Sequence, residues 1–349
     1  MKTIKIKFMG FWPTFDPKNA HYMKLLYKNY NVVECEDADY IICSLFDEPY
    51  CYLKEEGKIR LFFSGENYIP DFNLIDYAIC SYPIDYYDRN FYWPECVFPN
   101  GHFERLRYRR TDFTELDLAE KPYFANFIAS HDSEYNLRSR FVEILNRYKR
   151  VECPGTFMNN MLDGFNVSFT DNSKTDFQKK SKFTVCFEST EHYGFITEKI
   201  TDAFYSETIP IYFGSANVTD IFNKEAFINV SDYPSLEAAA EKVIELDQNN
   251  ELYLEMLNRP ALVDPEYYEK LVDSEEKFLK NIFEQDYDKA RRISPFYNTK
   301  RHISFLKNAV NDYEGINSVS RPSGSSGFSH GMFLLAQFIK TLFHLRRRS

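Results

Sequence analysis

The sequence predicts an α/β protein of two Rossmann-like halves, with a ligand cleft expected where the halves face each other. Three observations predict it. Strand and helix signals alternate in two separate series, a densely charged stretch divides the series, and 349 residues suffice for two ordinary hydrophobic cores. The expected bounds are 1–118 and 119–312, followed by a tail at 313–349.

The first series opens on an apolar strand at 4–8, continues with a helix over 19–28, and gives further strands at Val32, 40–45, 60–64 and 75–80. Short apolar runs separated by helix-sized segments are the mark of parallel βα units. Between 105 and 121 the charges of Arg107, Arg109, Arg110, Asp112, Glu115, Asp117 and Glu120 interleave, and this stretch is expected to be the linker. The second series places a strand at 122–130, a helix over 134–148, a strand at Val151, a helix over 174–180 and a strand at 209–213. Ser235 then precedes a helix over 236–246, and helix resumes at 252–257.

The most informative segment is 182–199, KFTVCFESTEHYGFITEK: an apolar strand, a polar loop turning at Gly194, and a helix opening with Thr197, Glu198 and Lys199. The first turn of a helix presents unpaired N–H groups and the positive end of its dipole, so it suits a bound phosphate, and Lys199 adds a full charge. The same features also fit an ordinary strand-turn-helix joint whose lysine faces solvent. Ile196, Ile200, Ala203 and Phe204 recur at helical spacing and form one buried face, which turns Glu198, Lys199 and Asp202 elsewhere.

Composition narrows the partners. A net charge of -10 argues against broad nucleic-acid binding, which draws on dense Lys and Arg, so no nucleic-acid partner is expected and any anion site is local. Aromatic residues reach 17% against 12 glycines, which fits sugar-binding clefts and fits a compositional bias of the genome better. Seven cysteines, odd in number and set in apolar runs, read as reduced core residues, and no Cys/His cluster supports a zinc site. Asp37 and Asp39 have a metal-binding spacing but read as capping the strand that starts at Tyr40, so no metal site is expected. No GxGxxG or Walker motif occurs, which disfavours a dinucleotide oxidoreductase or a P-loop enzyme. Asn166, Asn217 and Asn229 lie in glycosylation triplets and read as chance, because MKTIKIKFMGF runs straight into a strand without an export signal.

The end of the chain differs in kind. Residues 318–330 are rich in Ser, Gly and Pro and are expected to be a flexible tether. Beyond it, Leu335, Phe338, Ile339, Leu342 and Leu345 fall on one side and Gln337, Thr341, His344 and Arg348 on the other. At about fifteen residues this helix is short of the roughly 20 that span a bilayer, and it suits lying in an anionic interface, helped by Arg346, Arg347 and Arg348. The expected location is cytoplasmic and peripheral, on the inner face of the cytoplasmic membrane; a helix docked on the protein's own core is the other reading.

Against this background, FTVCFESTEHYGFITEKITDAFYSETIPIYFGS resembles the signature of bacterial α-1,3-fucosyltransferases of glycosyltransferase family 10, in which a strand ending in Phe-Glu-Asn is followed by Tyr-(Ile/Val)-Thr-Glu-Lys and Ile-Pro-(Ile/Val). FFSGENYIPDFNLIDYAI is similar to the Gly-Glu-Asn segment of bacterial members, and FWP at 11–13 and FANFIAS followed by Leu137 and Arg138 are similar too. The resemblance covers most of 4–235 in order. It implies a GT-B fold and inverting transfer of L-fucose from GDP-β-L-fucose to a GlcNAc hydroxyl of an N-acetyllactosamine-type glycan, as in Lewis-type antigens and lipopolysaccharide O-chains. No cofactor is required on this reading, and stimulation by a divalent cation is left open.

The resemblance also assigns roles. Glu66 is the base that takes the acceptor proton, and a turn glutamate capping local N–H groups is the competing reading. Arg138 and Lys199, with the N–H groups at 196–198 and Thr197, steady the diphosphate; an ordinary solvated arginine is the alternative for Arg138. Glu198 bonds the ribose or fucose and Glu188 orients the sugar. Ser189 stands where the family commonly has Asn. Phe195 stands where it often has a Tyr whose hydroxyl touches phosphate, a loss that Tyr193 partly makes good. The acceptor is expected near Glu66 along Tyr82, Tyr86, Tyr87, Asp88, Phe91, Tyr92 and Trp93, with Tyr87, Asp88 and Trp93 as contacts, although a core edge explains that run nearly as well. A GT-B transferase with another nucleotide-sugar donor and a non-catalytic glycan-binding relative are the alternatives.

Overall fold

The computed structural model describes residues 1–47, 50–97, 101–168 and 171–318. The amphipathic segment at 331–349 and nearly all of the tether before it lie outside the described residues. The chain divides into two compact units, one of Met1–Cys80, Ile84–Tyr92 and the chain from Asp273 onward, the other of Ser81–Pro83 and Trp93–Val272.

The first unit opens with β1 (Thr3–Met9), α1 (His21–Asn29), β2 (Asn31–Glu34), β3 (Tyr40–Cys43), β4 (Ile59–Ser64), β5 (Tyr77–Cys80) and β6 (Asn90–Tyr92). The strands form one parallel sheet in the order β2-β1-β3-β4-β5-β6. All four residues of β3 and of β5 are buried, as expected for apolar strands covered on both faces. Three-residue β6 carries only half-buried residues and gives no such signal in the sequence.

The second unit contains α2 (His102–Arg105), α3 (Glu115–Leu118), β7 (Tyr123–Phe127), α4 (Leu137–Asn146), β8 (Val151–Glu152), α5 (Ser173–Gln178), β9 (Ser181–Phe187), α6 (Glu198–Tyr205), β10 (Ile209–Phe213), β11 (Ile228–Asn229), α7 (Leu236–Gln248) and α8 (Asn250–Leu257). Its sheet is parallel throughout, in the order β11-β10-β9-β7-β8. The order reverses between β7 and β9, and in open parallel sheets that switch point, at the carboxyl ends of the strands, is where ligands sit. Phe127, Phe141, Phe183, Phe187, Ile209 and Ile211 lie in the core beneath it. The Ser235 hydroxyl caps α7, accepting the Ala238 N–H at 3.2 Å. Near the other end of that helix Asp247 takes Lys182 at 2.7 Å and Lys149 at 2.6 Å, tying α7 to β9.

The chain then runs through α9 (Tyr267–Glu284), α10 (Tyr287–Ala290) and α11 (Tyr297–Ser318). From Asp273 it rejoins the first unit: Phe283 packs on Tyr40 with ring centroids 4.6 Å apart, and Leu306 enters that unit's core. The observed division therefore differs from a boundary at 118/119, because residues before 118 pack with the second unit and residues from Asp273 with the first. The charged stretch at 105–121 is a packed strap rather than a loose linker. Phe103, Leu106 and Phe113 are buried, and Arg109 donates to the carbonyls of Phe204 and Leu257 at 3.1 and 2.9 Å. Burial pushes the Arg109 guanidinium down to about 10. The cysteines form no disulfide, and all but Cys35 are buried. Among the described residues no helix is long and apolar enough to cross a membrane.

Candidate functional site

Strand β9 delivers Glu188 to the carboxyl edge of the second sheet, beside the switch point. Two glycines shape its surroundings. Gly194 adopts φ 91°, and a Cβ there would stand 2.3 Å from Pro83 Cδ, so the predicted turn is present and requires glycine. Its N–H donates to Ser215 Oγ at 2.7 Å and Asn217 Oδ1 at 2.9 Å, which fixes the loop. At Gly214 a Cβ would lie 2.6 Å from Glu188 Cγ, so this glycine admits the glutamate side chain.

Glu188 is 1% exposed and fully engaged. It accepts the Thr197 N–H at 2.8 Å, the Thr197 hydroxyl at 2.8 Å and the Lys199 ammonium at 3.1 Å, while Lys199 also donates to Thr197 Oγ1 at 2.7 Å. Thr197 is the N-cap of α6. A protein carboxylate thus occupies the positive helix end, the place where the sequence suggested a bound phosphate. Burial disfavours the Lys199 charge, but Glu188 and Glu198 outweigh it and raise its pKa. Burial likewise disfavours the Glu198 carboxylate, yet Lys199 and Lys174 hold it down at about 2.

Arg138 is not the ordinary solvated arginine of the alternative reading. It is 2% exposed, and its fork closes on backbone: Nε and Nη2 donate to the Phe187 carbonyl at 3.1 and 2.8 Å, and Nη1 to the His131 carbonyl at 2.8 Å. It is a brace stitching the loop after β7 to the end of β9, with three of its five N–H donors so engaged. Beside it, His131 was missed by sequence reasoning because no spacing marks it. Its partial burial and the charges of Arg138 and Lys199 lower its pKa, the sign of a locally positive potential.

A cavity of about 240 Å³ opens here, lined by Ser133, Glu134, Tyr135, Glu188, Ser189 and Phe213 among others. Tyr135 and Asn136 have φ of 58° and 55°, a left-handed pair that bends the chain sharply into α4. The Ser189 carbonyl accepts the Glu134 N–H at 3.1 Å, closing one wall. Tyr193 is exposed, whereas Phe195 is buried in the core because the turn at Gly194 aims it inward, so it offers packing rather than a ligand contact.

Sequence reasoning also missed a charged cluster beneath Glu198. Asp202, expected to point away from the core, is 4% exposed. It takes the Lys174 ammonium at 2.6 Å and His102 Nδ1 at 2.7 Å, and Lys174 reaches Glu198 at 3.5 Å. The available signal was the one-turn spacing of Glu198 and Asp202, which lets both reach one cation.

In the first unit Glu66 is exposed, two residues beyond the carboxyl end of β4. Its N–H donates to Ser64 Oγ at 3.1 Å and its carbonyl accepts the Tyr68 N–H at 2.7 Å. Tyr87 is 90% exposed. Asp88 is not an open acceptor contact: Arg292 grips it, Asn281 donates to it at 3.0 Å, and its bond to Arg292 holds its carboxyl below the usual range against the opposing effect of burial. Trp93 is buried, so it is not the surface contact expected of it, and it belongs to the second unit. Among the described residues no group of three or more His, Cys, Asp or Glu is placed to hold a metal ion.

Comparison with known proteins places this arrangement. Residues 6–98 match the model of the α-(1,3)-fucosyltransferase FucT N-terminal domain, and residues 118–268 that of the glycosyltransferase family 10 (fucosyltransferase) C-terminal region. α-(1,3)-fucosyltransferase FucT of Helicobacter pylori is 31% identical over 240 residues, which are 59% of this chain and 48% of that protein. The chain thus spans about half the length of that curated relative. A crystal structure of an α1,3-fucosyltransferase superposes with TM-score 0.69 at 28% identity, covering 82% of this chain and 91% of the other. A crystal structure of an α1,3-fucosyltransferase with GDP-fucose gives TM-score 0.66 at 27% identity, covering 82% and 92%. Two parallel α/β sheets, the GT-B class, and two family models spanning both units lead to one conclusion: the chain belongs to glycosyltransferase family 10, the fucosyltransferases.

Proposed function

We propose that this protein transfers L-fucose from GDP-β-L-fucose to a GlcNAc hydroxyl of an N-acetyllactosamine-type glycan, forming an α-1,3 linkage with inversion. The observation that carries the reading is the cluster of Glu188, Thr197, Glu198 and Lys199 at the carboxyl end of β9, next to a cavity at the switch point of the second sheet. The solved α1,3-fucosyltransferase with GDP-fucose supports the choice of donor.

The chemistry asks for a stabilised leaving group and a base. As the acceptor oxygen attacks the anomeric carbon, the bond from that carbon to the β-phosphate oxygen breaks, and charge collects on the diphosphate. Two of the three Lys199 donors go to Glu188 and Thr197, and the third is left for a phosphate oxygen. Arg138 adds positive potential from behind, which His131 registers as a lowered pKa. Glu198, held ionised, accepts a ribose or fucose hydroxyl. Glu66 takes the acceptor proton and GDP departs. Tyr87 and the strand end around Glu66 form the acceptor side.

We further propose that residues 331–349 hold the protein on the inner face of a bacterial membrane, with lipopolysaccharide O-chains carrying Lewis-type structures as acceptors. Deleting 331–349 is expected to release the protein from anionic vesicles while activity on soluble acceptors persists; unchanged partitioning contradicts this. A donor screen tests the main reading. Turnover with GDP-fucose supports it, and turnover only with GDP-mannose or a UDP-sugar replaces it. Binding of glycan without turnover by wild type identifies a lectin-like relative.

A further inference from the structure

We propose that Lys174 is a positioning residue for donor binding: from beneath α6 it fixes the Glu198 carboxylate in place and in charge, with Asp202 and His102 holding Lys174 in turn. The inference rests on the reading of Glu198 as a donor contact.

Lys174 comes from the first turn of α5, a separate element, and its side chain is 9% exposed. A lysine so buried requires partners, since an isolated ammonium out of water is costly. Two carboxylates on α6 serve it. The ammonium lies 2.6 Å from Asp202 Oδ2 and 3.5 Å from Glu198 Oε1, so it bridges a buried carboxylate and a half-buried one a helical turn apart. Asp202 is shared with His102 of α2, whose Nδ1 lies 2.7 Å from Oδ1 and whose ring stacks on Tyr205 at 3.9 Å. Three helices thereby converge on the root of one carboxylate.

Glu198 meets charge from several sides. Lys199 and Asp202 share its helix, Lys174 faces it from α5, Arg138 from α4, Glu188 from the end of β9, and the Cys96 thiol lies near. Lys199 is bonded to Glu188 and Thr197, and Arg138 to backbone carbonyls, while Lys174 reaches both Glu198 and Asp202. A carboxylate oriented this way accepts a sugar hydroxyl without first having to reorganise. The effect should fall on KM for the donor more than on kcat, since the hydroxyl bond exists before and during transfer.

The test is a set of variants assayed with GDP-fucose. K174M/D202N removes both buried charges together and leaves no unpaired ion from that pair. It is expected to raise KM for GDP-fucose about tenfold with kcat changed less than about threefold. It should also move the acidic limb of donor binding up toward the ordinary carboxylate range, while K174R keeps the wild-type profile. On an E198Q background the Lys174 change should add nothing further. A folded K174M/D202N with wild-type KM and acidic limb overturns the proposal. Should the double variant not fold, D202N alone decides: Lys174 then has Glu198 as its remaining carboxylate, the limb is expected to stay low, and a rise overturns the idea. If wild type binds no GDP-fucose in titration calorimetry, the donor reading itself fails and this role falls with it; binding in wild type that K174M/D202N leaves unchanged removes only the role of Lys174.

Discussion

Lys199 Nζ lies 3.1 Å from Glu188 Oε2, so the carboxylate that closes the positive end of α6 is also the counter-charge of the cation assigned to the leaving group. The pair is internal, with Glu188 fully buried and Lys199 about a quarter exposed. Removing the lysine therefore strands a buried charge. Lys199→Ala is expected to lower stability by about 2 kcal/mol and to weaken GDP-fucose binding at least about tenfold. Urea unfolding and calorimetry check both, and unchanged donor affinity contradicts the assignment.

Arg138 makes a different prediction because its fork serves backbone. A lysine supplies the charge but cannot reach the Phe187 and His131 carbonyls with one ammonium. Arg138→Lys should cost about 1–3 kcal/mol in unfolding free energy, even without ligand, since buried carbonyls lose their donors. A variant as stable as wild type would mean that the fork is free to serve the donor instead.

Asp247 sets a pH dependence of stability. Burial works against its charge, but Lys149 and Lys182 outweigh that and lower its pKa below the usual carboxylate value. The stabilisation is therefore present above the unfolded carboxylate range and fades as pH falls through the lowered folded value. Asp247→Asn should destabilise by about 2–3 kcal/mol at pH 7, and the gap to wild type should narrow in acid. A pH-independent gap contradicts the charge pairing.

Glu198 gives the complementary prediction for binding. Held at about 2, it stays ionised throughout the neutral and mildly acidic range. Affinity for GDP-fucose should be flat between roughly pH 8 and 5 as far as this group is concerned, because only pH falling toward its folded value protonates it. A step in affinity between those limits that Glu198→Gln abolishes would contradict the stated pairing with Lys199 and Lys174.

Much of the framework is legible in the sequence where the signal is local. Residues 209–213 read as a strand and form one, and Ile196, Ile200, Ala203 and Phe204 are all buried as their helical spacing requires. Gly194 turns the loop as expected. What escaped depends on partners far along the chain. Arg138 directs its donors to carbonyls that carry no side-chain signature, and Lys174 finds Asp202 across 28 residues. The strap at 105–121 hides Leu106 and Phe113 among charges, and the return of α9 to α11 to the first unit is a matter of long-range packing. Asp88 is similar: its partner Arg292 lies 204 residues away.

Glu66 carries the chemical half of the account. Glu66→Gln keeps the shape and removes the base, so turnover should fall by at least about 100-fold while GDP-fucose binding in the second unit is kept. Equal loss of binding and turnover would point to a structural glutamate.

The most direct measurement is incubation of the full chain with GDP-fucose and N-acetyllactosamine, followed by NMR linkage analysis of the product. The account predicts GDP release and an α-linked fucose on the 3-hydroxyl of GlcNAc. A β-linked product, or no consumption of GDP-fucose beside turnover of a different nucleotide sugar, would contradict it.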